Sequence, residues 1–150
     1  MIHKCKHFCI EELVPEEFYR CNIEKYKDNL WFLFDMKGLI TLDRLRERYG
    51  KMNMNNWKWG GKDNYRGFRP PEISIGAKLS QHRFGRGFDP WFFDCTADEV
   101  REDIENNPEN KAFEFITTIE DGLIAKTWFH FDTRCWDKSK NGILVIRPIK

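Results

Sequence analysis

Apolar residues in the first half of the chain recur at helical spacing. The segment VPEEFYRC (14–21) predicts a short helix, and DNLWFLFDMKG (28–38) predicts a second. TLDRLRERYG (41–50) gives the clearest pattern, with apolar positions three and four residues apart. Thr41 can cap this helix, and Gly50 stands where a helix ends. These patterns predict a helical N-terminal half.

The middle of the chain is less regular. MNMNNW (52–57) alternates as a short strand does, whereas 57–78 carries four Gly and two Pro and predicts an extended, irregular segment. TADEVREDIENN (96–107) predicts a helix that begins with a capping box, in which Thr96 is followed by Glu99 three residues later. One further helix is therefore expected between this irregular segment and the C-terminal part.

Strand-like runs dominate the last third of the chain. They are AFEFITTI (112–119), IAKTWFHFDTRCW (124–136) and GILVIRP (142–148). The sequence Glu120-Asp121-Gly122 joins the first two runs, and Asp-Gly is a strong hairpin signal. Helices followed by strands favour an α+β domain, with N-terminal helices packed on a small antiparallel sheet.

Length and charge narrow the classes of protein that this chain could represent. A chain of 150 residues is most simply one domain, here residues 1–150. Lys and Arg number 25 against 24 Asp and Glu, so we expect no nucleic-acid partner. The sequence contains no run of about 18 apolar residues, so we expect no membrane span. The N-terminus is too polar for a secretory signal, so we expect synthesis in the cytoplasm.

Cysteine usage also indicates a reducing compartment. The chain has five cysteines, without a CxxC pair, which predicts free thiols rather than a four-cysteine zinc site. His3, Cys5, His7 and Cys9 alternate, so they would share one face of a strand. This pattern is compatible with a half-buried edge strand or with a surface metal site.

Two segments carry residues suited to metal chemistry. SQHRFGRGFDP (80–90) places His82 and Asp89 on either side of two glycines, which favour a turn that brings the two side chains together. In TWFHFDTR (127–134), strand alternation puts His130 and Asp132 with Trp128 on one face and two phenylalanines on the other. Two His and one carboxylate can hold Zn²⁺ and leave a fourth position open for water.

These two segments resemble motifs of the D-Ala-D-Ala carboxypeptidase and hedgehog-type zinc peptidases. SQHRFGRGFD is similar to their Ser-x-His-x-x-Gly-x-Ala-x-Asp signature, with Gly87 in place of Ala. TWFHFDTR resembles the Trp-x-His-x-Asp strand of the phage-type branch. The resemblance covers about residues 30–135 and leaves 1–29 as an N-terminal extension. It implies a hedgehog/DD-peptidase-like fold and Zn²⁺ held by His82, Asp89 and His130.

The resemblance leaves the general base open. Many relatives carry an acidic residue three positions before the last His, where this chain has Thr127. Two carboxylates could replace it. Glu120 lies at the expected hairpin turn, as in similar phage-type sequences, and is the favoured base. Asp132 is the alternative, although its spacing from His130 also suits support of a metal ligand.

The resemblance also implies how a substrate is held. Arg69 matches the Arg of the family's "GyR" segment, whose guanidinium can bind a substrate carboxylate. Ser80 matches the signature's Ser and is expected to fix the metal-site loop or the substrate. Asn55 and Asn56 resemble a stretch that leads into the Arg segment and builds the cleft wall. Trp57 could stack on sugar or peptide, or pack on the domain, and the same alternatives hold for the neighbouring Trp59.

The resulting hypothesis is a zinc metallopeptidase that hydrolyses the stem peptides of peptidoglycan. D,D-carboxypeptidase and L-alanyl-D-glutamate endopeptidase activities both agree with the motifs. The phage or prophage resemblance implies that the protein acts on the cell wall after release, or as part of a phage particle. The alternative is a non-catalytic zinc-binding relative that acts as a structural or wall-binding module. The sequence leaves the oligomeric state open.

Overall fold

Short helices and shorter strands alternate with long irregular segments in the computed structural model, which describes residues 2–149. The helices are α1 (Glu16–Tyr26), α2 (Met36–Tyr49), α3 (Ala97–Asn106) and α4 (Lys138–Asn141). The strands are β1 (Met52–Asn53), β2 (Gly87–Phe88), β3 (Trp91–Phe92), β4 (Thr118–Glu120), β5 (Phe131–Asp132) and β6 (Leu144–Ile146). The prediction of an α+β protein is confirmed. Among residues 2–149, no helix has the length and apolar character needed to cross a membrane.

The start of α2 differs from the sequence prediction. The segment expected to form a second helix is a 3₁₀ helix over Lys27–Leu33, and α2 begins after Asp35, whose side chain accepts a hydrogen bond from the backbone N–H of Lys37. Thr41 lies inside the helix, where its buried hydroxyl donates to the carbonyl of Lys37 at 2.8 Å. The prediction of a Thr41 cap is wrong because Asp35 caps the helix one and a half turns earlier. The end at Gly50 is confirmed.

The other two helix predictions are confirmed. The first helix is longer than predicted, since α1 continues to Tyr26. At the start of α3, the Thr96 hydroxyl accepts from the backbone of Glu99 and the Glu99 carboxylate accepts from the backbone of Thr96. This reciprocal capping satisfies two backbone donors at the helix terminus.

The strands form two sheets. The smaller sheet pairs β1 with β3, and the larger has the order β2-β5-β4-β6. Within the larger sheet, β2–β5 and β4–β5 are antiparallel, whereas β4 and β6 are parallel. The prediction of an antiparallel sheet is therefore correct for three of its four strands and wrong for β6.

The predicted tight hairpin at Glu120-Asp121-Gly122 is also wrong. The strands β4 and β5 do pair, but a long loop over 121–130 connects them. Asp121 donates from its backbone to the carbonyl of Ile146 and accepts from the backbone N–H of Ile124 at 2.9 Å. Asp121 therefore begins a local turn beside β6 instead of reversing the chain directly.

One apolar core joins the two sheets and α2. Phe88 and Phe131 stack at 5.3 Å between ring centroids on adjacent strands, and both are fully buried. The N-terminal segment contributes to the same core through Phe8, Leu13 and Val14. Burial of these side chains holds the sheet against α2 and leaves the opposite face of the sheet free to carry polar groups.

Candidate metal centre

One row of side chains crosses the larger sheet and lies over its polar face. The registers Phe88↔Phe131 and Ile119↔Phe131 place Asp89 and Glu120 opposite His130, on either side of it. A backbone hydrogen bond from Glu120 to the carbonyl of His130, at 3.4 Å, fixes the second pairing. Cross-strand neighbours have Cβ atoms about 5 Å apart, so the three side chains face one another.

His82 reaches this row because the chain turns sharply after it. His82 lies in a 3₁₀ helix over Gln81–Phe84, which ends at Gly85 with φ of 66°. A Cβ at Gly85 would lie 1.7 Å from the carbonyl oxygen of Leu33, so only glycine fits this turn. β2 then carries the chain back to Asp89. The turn expected from the glycines is therefore present.

His82, Asp89 and His130 form a buried group that could hold a metal ion. Each of the three residues offers one ligand atom, and these atoms lie within 4.8 Å of one another. His82 Nε2 is 3.3 Å from Asp89 Oδ2, and His130 Nδ1 is 2.7 Å from Asp89 Oδ1. One ring nitrogen of each histidine thus faces the same carboxylate.

The opposite nitrogen of each ring has its own oxygen partner. His82 Nδ1 is 2.7 Å from the carbonyl oxygen of Gly67, which can only accept, so this nitrogen donates and Nε2 is the nitrogen that faces Asp89. His130 Nε2 lies 3.4 Å from Asp132 Oδ2. Histidines that bind metals usually donate their other N–H to a carbonyl or carboxylate. The donor set and its supporting contacts therefore fit a metal ion.

Mutual attraction dominates the electrostatics of this group. Burial opposes ionisation of Asp89, but the two histidines outweigh it and hold the pKa of Asp89 well below its usual range. Burial likewise opposes protonation of His130, yet hydrogen bonds to Asp132 and Asp89 raise its pKa to about 10. A cation is thus strongly favoured beside Asp89, as expected at a position that suits a metal ion.

A cleft of about 390 Å³ opens on this group. Its lining includes all three clustered residues together with Glu120, Arg69, Ser80 and Trp128. Arg69 Nη2 donates to Asp89 Oδ2 at 2.7 Å, and its Nε donates to the carbonyl of Tyr65 at 2.7 Å. The structure therefore brings the sequence-predicted substrate residues to the same cleft as the candidate ligands.

The two candidate bases have different environments. Glu120 lines the cleft, and its carboxylate has no hydrogen-bond or ion-pair partner among residues 2–149. Asp132 is fully buried, and Arg134 donates to both of its oxygens, at 2.9 and 3.0 Å from Nε. Burial raises the pKa of Asp132, but Arg134 and His130 lower it to about 2. Asp132 therefore contacts His130 from a buried position, whereas Glu120 lies at the open cleft.

Arg134 is the residue that sequence reasoning missed at this site. It lines the cleft and holds Asp132, which in turn contacts His130. The sequence could have indicated it, because Arg134 follows His130 by four positions in the predicted strand-like run 124–136 and would share its face there. The two contacts form a chain from a cleft guanidinium to a candidate ligand.

Other sequence-derived candidates lie elsewhere. Asn55 is buried and donates to the carbonyl of Val14, and neither it nor Asn56 lines the cleft. Trp57 is half-buried and donates to that same carbonyl, so it packs on the domain, whereas Trp59 is 62% exposed. The expected cleft wall is formed instead by residues around Ser80.

The alternating His and Cys residues near the N-terminus form neither expected structure. Residues 3–9 contain no strand. Cys5 contacts the carbonyl of Leu39, His7 contacts Glu47, and Cys9 contacts Lys58. These three side chains have separate partners, and the candidate metal group found among residues 2–149 lies in the cleft instead.

Comparison with protein-family models, with curated proteins and with solved structures finds no match to this chain.

Proposed function

We propose that this protein is a zinc-dependent peptidase with a hedgehog/DD-peptidase-like fold that hydrolyses stem peptides of peptidoglycan. The observation that carries the proposal is the row Asp89–His130–Glu120, with His82 beside it. Two imidazoles and one carboxylate match a catalytic zinc site with an open position. The carboxylate of Glu120, which has no hydrogen-bond or ion-pair partner within residues 2–149, lines the same cleft.

Zinc at this position would supply a Lewis acid and a water of lowered pKa. His82 and His130 would bind it through the nitrogens that face Asp89, because their other nitrogens are held by Gly67 and Asp132. The Glu120 carboxylate accepts a proton from the attacking water and passes it to the leaving amine. Each of these roles falls to a residue whose position in the cleft suits it.

Arg69 supports a substrate that carries a carboxylate. Two of its nitrogens donate to Tyr65 and Asp89, whereas Nη1, near Gly76, has no hydrogen-bond partner among the described residues 2–149. Charge-assisted hydrogen bonds of this kind fix orientation as well as affinity. Stem peptides of the cell wall carry such carboxylates. The phage-type resemblance further suggests action on the wall after release or within a phage particle.

The test combines metal content with hydrolysis. Zinc per chain is measured after purification without chelators, and amine release is then followed on purified cell walls of several chemotypes. We expect about one zinc per chain, with release by the wild type and none by His82→Ala. The matched control is His7→Ala, which removes an exposed histidine that contacts Glu47 away from the cleft. Absence of bound metal in the wild type would contradict the proposal.

The second candidate is a non-catalytic zinc-binding relative. Thr127 stands where many relatives have an acid, and it lines a different cavity from His130. A binding module would retain zinc and bind walls without releasing amines from any wall type. The same measurements therefore separate the two candidates.

A further inference from the structure

A second surface, on the smaller sheet, presents aromatic rings to solvent. The register Met52↔Phe92 and Asn53↔Trp91 turns Met52 and Phe92 inward, where both are buried. The alternate positions therefore face outward. They are Lys51, Asn53, Trp91 and Phe93, which we call the ribbon face.

The two aromatic side chains of the ribbon face are exposed to solvent. Trp91 is 38% exposed and Phe93 is 44% exposed, with ring centroids 4.8 Å apart. Lys51 lies opposite Phe93, and its Nζ is 4.7 Å from the ring centroid. Contiguous exposed apolar groups that are rimmed by polar residues can mark a ligand-binding surface.

A cavity of about 490 Å³ extends the ribbon face to a third ring. Phe93 forms one wall and Trp59 another, with Arg46, Asn53 and Glu12 also in the lining. Trp59 is 62% exposed on a short 3₁₀ helix that ends at Gly60. Phe93 also lines a neighbouring cavity that includes Trp91, so the three rings follow one continuous path.

The polar groups of the Trp59 cavity are mainly hydrogen-bond donors, whereas the neighbouring cavity beside Trp91 is lined by the acidic residues Asp94, Asp98 and Glu99. The half-buried guanidinium of Arg46 has no hydrogen-bond or ion-pair partner among the residues that the structure describes. Lys51 and the Asn53 amide add further donors. Glu12 is the acidic group of the cavity, and one of its oxygens already accepts from the backbone of Cys9 at 2.9 Å. A ligand here must offer apolar faces and several acceptor oxygens.

We propose that the ribbon face and the Trp59 cavity bind a linear glycan of N-acetylated hexosamines. The C–H faces of successive pyranose rings pack on Trp59, Phe93 and Trp91. Acetamido carbonyl oxygens accept from Arg46 and Asn53, which a glycan with hydroxyl groups alone would satisfy less well.

The cell wall as the source of this glycan rests on the proposed peptidase function, whereas the sugar-binding surface itself does not. A protein that cuts stem peptides gains affinity when a second site holds the strand that carries them. The metal cleft and this glycan surface share none of their lining residues. Binding can therefore be measured independently of hydrolysis.

The test is calorimetric titration of the chelator-treated, full-length protein with three probes. They are an N-acetylglucosamine hexamer, a glucose hexamer and peptide-free glycan strands from cell walls. We expect both acetamido glycans to bind at least tenfold more tightly than the glucose hexamer. Tighter binding of wall strands than of the hexamer identifies the wall as the source, and the reverse order identifies a chitin-like glycan.

Variants locate the site. Trp59→Ala and Phe93→Ala should each weaken binding at least tenfold, Trp59→Tyr should restore most of it, and Arg46→Gln should reduce the preference for acetamido glycans. The control is Phe32→Ala, which removes a ring 68% exposed on another surface. Equal binding of all three probes, or equal binding by every variant, would overturn the proposal. So would self-association that depends on Trp59 without glycan binding, because the surface would then be a protein interface.

Discussion

Glu120 lies directly across the β4–β5 pair from His130, and its backbone N–H donates to the carbonyl oxygen of His130 at 3.4 Å. This pairing brings a carboxylate to the candidate metal group from a neighbouring strand rather than from the strand of the last histidine. In the peptidase family that the sequence resembles, an acid stands at the position of Thr127, and under the proposed function Glu120 on the neighbouring strand takes that role.

Replacing Glu120 by Gln should reduce amine release from cell walls by about 10²- to 10⁴-fold, which is the usual contribution of a general base. Zinc content should stay unchanged, since Glu120 is outside the three-residue metal group. The measurement is the initial rate on purified walls beside metal analysis. Glu105→Gln is the control, because Glu105 is exposed and lies on α3. A fully active Glu120→Gln protein would remove Glu120 from the mechanism.

Replacing Asp132 by Asn should weaken zinc binding by about 10- to 100-fold, because the change removes the carboxylate that holds His130 Nε2. Competition with a chromogenic chelator measures this shift. Hydrolysis at saturating zinc should then recover much of the wild-type rate. Unchanged zinc affinity combined with abolished hydrolysis would instead identify Asp132 as the base, the alternative that the sequence left open.

Zinc should stabilise the folded protein, because unfolding separates His130 from His82 and Asp89, which lie 41 or more residues earlier in the chain. At a zinc concentration 100 times the Kd, linkage adds about 2.7 kcal/mol to the free energy of unfolding. Thermal unfolding with and without a chelator measures this as a change in Tm. His82→Ala should lose the zinc-dependent increase. An equal increase in that variant would place the bound metal elsewhere.

The turn at Gly85 should tolerate no side chain. Gly85→Ala combines a φ of 66° with a Cβ only 1.7 Å from the Leu33 carbonyl oxygen, so the backbone must move. We expect a loss of about 4 kcal/mol or more in the free energy of unfolding, measured in urea. Gly60→Ala is the matched control, since Gly60 is also left-handed, with φ of 82°, and nothing lies within 4 Å of the added Cβ. That variant should lose only about 1–2 kcal/mol.

Acid should weaken the contact between α2 and α3. Arg48 donates to both oxygens of Asp103, at 2.6 and 2.7 Å, and Tyr49 donates to one of them. The Arg48 hydrogen bonds lower the pKa of Asp103 to about 2 from an ordinary value of 3.8. Because the folded pKa is the lower one, the stabilisation is complete above pH 3.8 and is lost as pH falls through about 2.

The corresponding measurement compares the wild type with Asp103→Asn in urea over this pH range. The difference in free energy of unfolding should be largest near neutral pH and shrink as pH falls below 4. A difference that stays constant down to pH 2 would show that ionised Asp103 contributes nothing to stability.

Much of the local structure follows from the sequence. The capping box at Thr96 and the helix end at Gly50 were predictable because each depends on neighbours a few residues away. The sequence also predicted that His130 and Asp132 share one face, since strand alternation is a local property. The start of α2 was missed because Asp35 caps the helix before the chain reaches Thr41. Asp35 has the extended backbone of a capping residue, and its side chain accepts from the backbone N–H of Lys37.

Sequence alone therefore determined the residue types of the candidate site, the turn at Gly85 and the α+β class. Only the tertiary structure decided that Asp89, His130 and Glu120 form one row, because strands of two or three residues carry too little pattern to define their register. The parallel pairing of β6 and the exposed rings of the ribbon face also depend on contacts between distant segments. Such contacts are fixed by burial of the shared core, which no local spacing encodes.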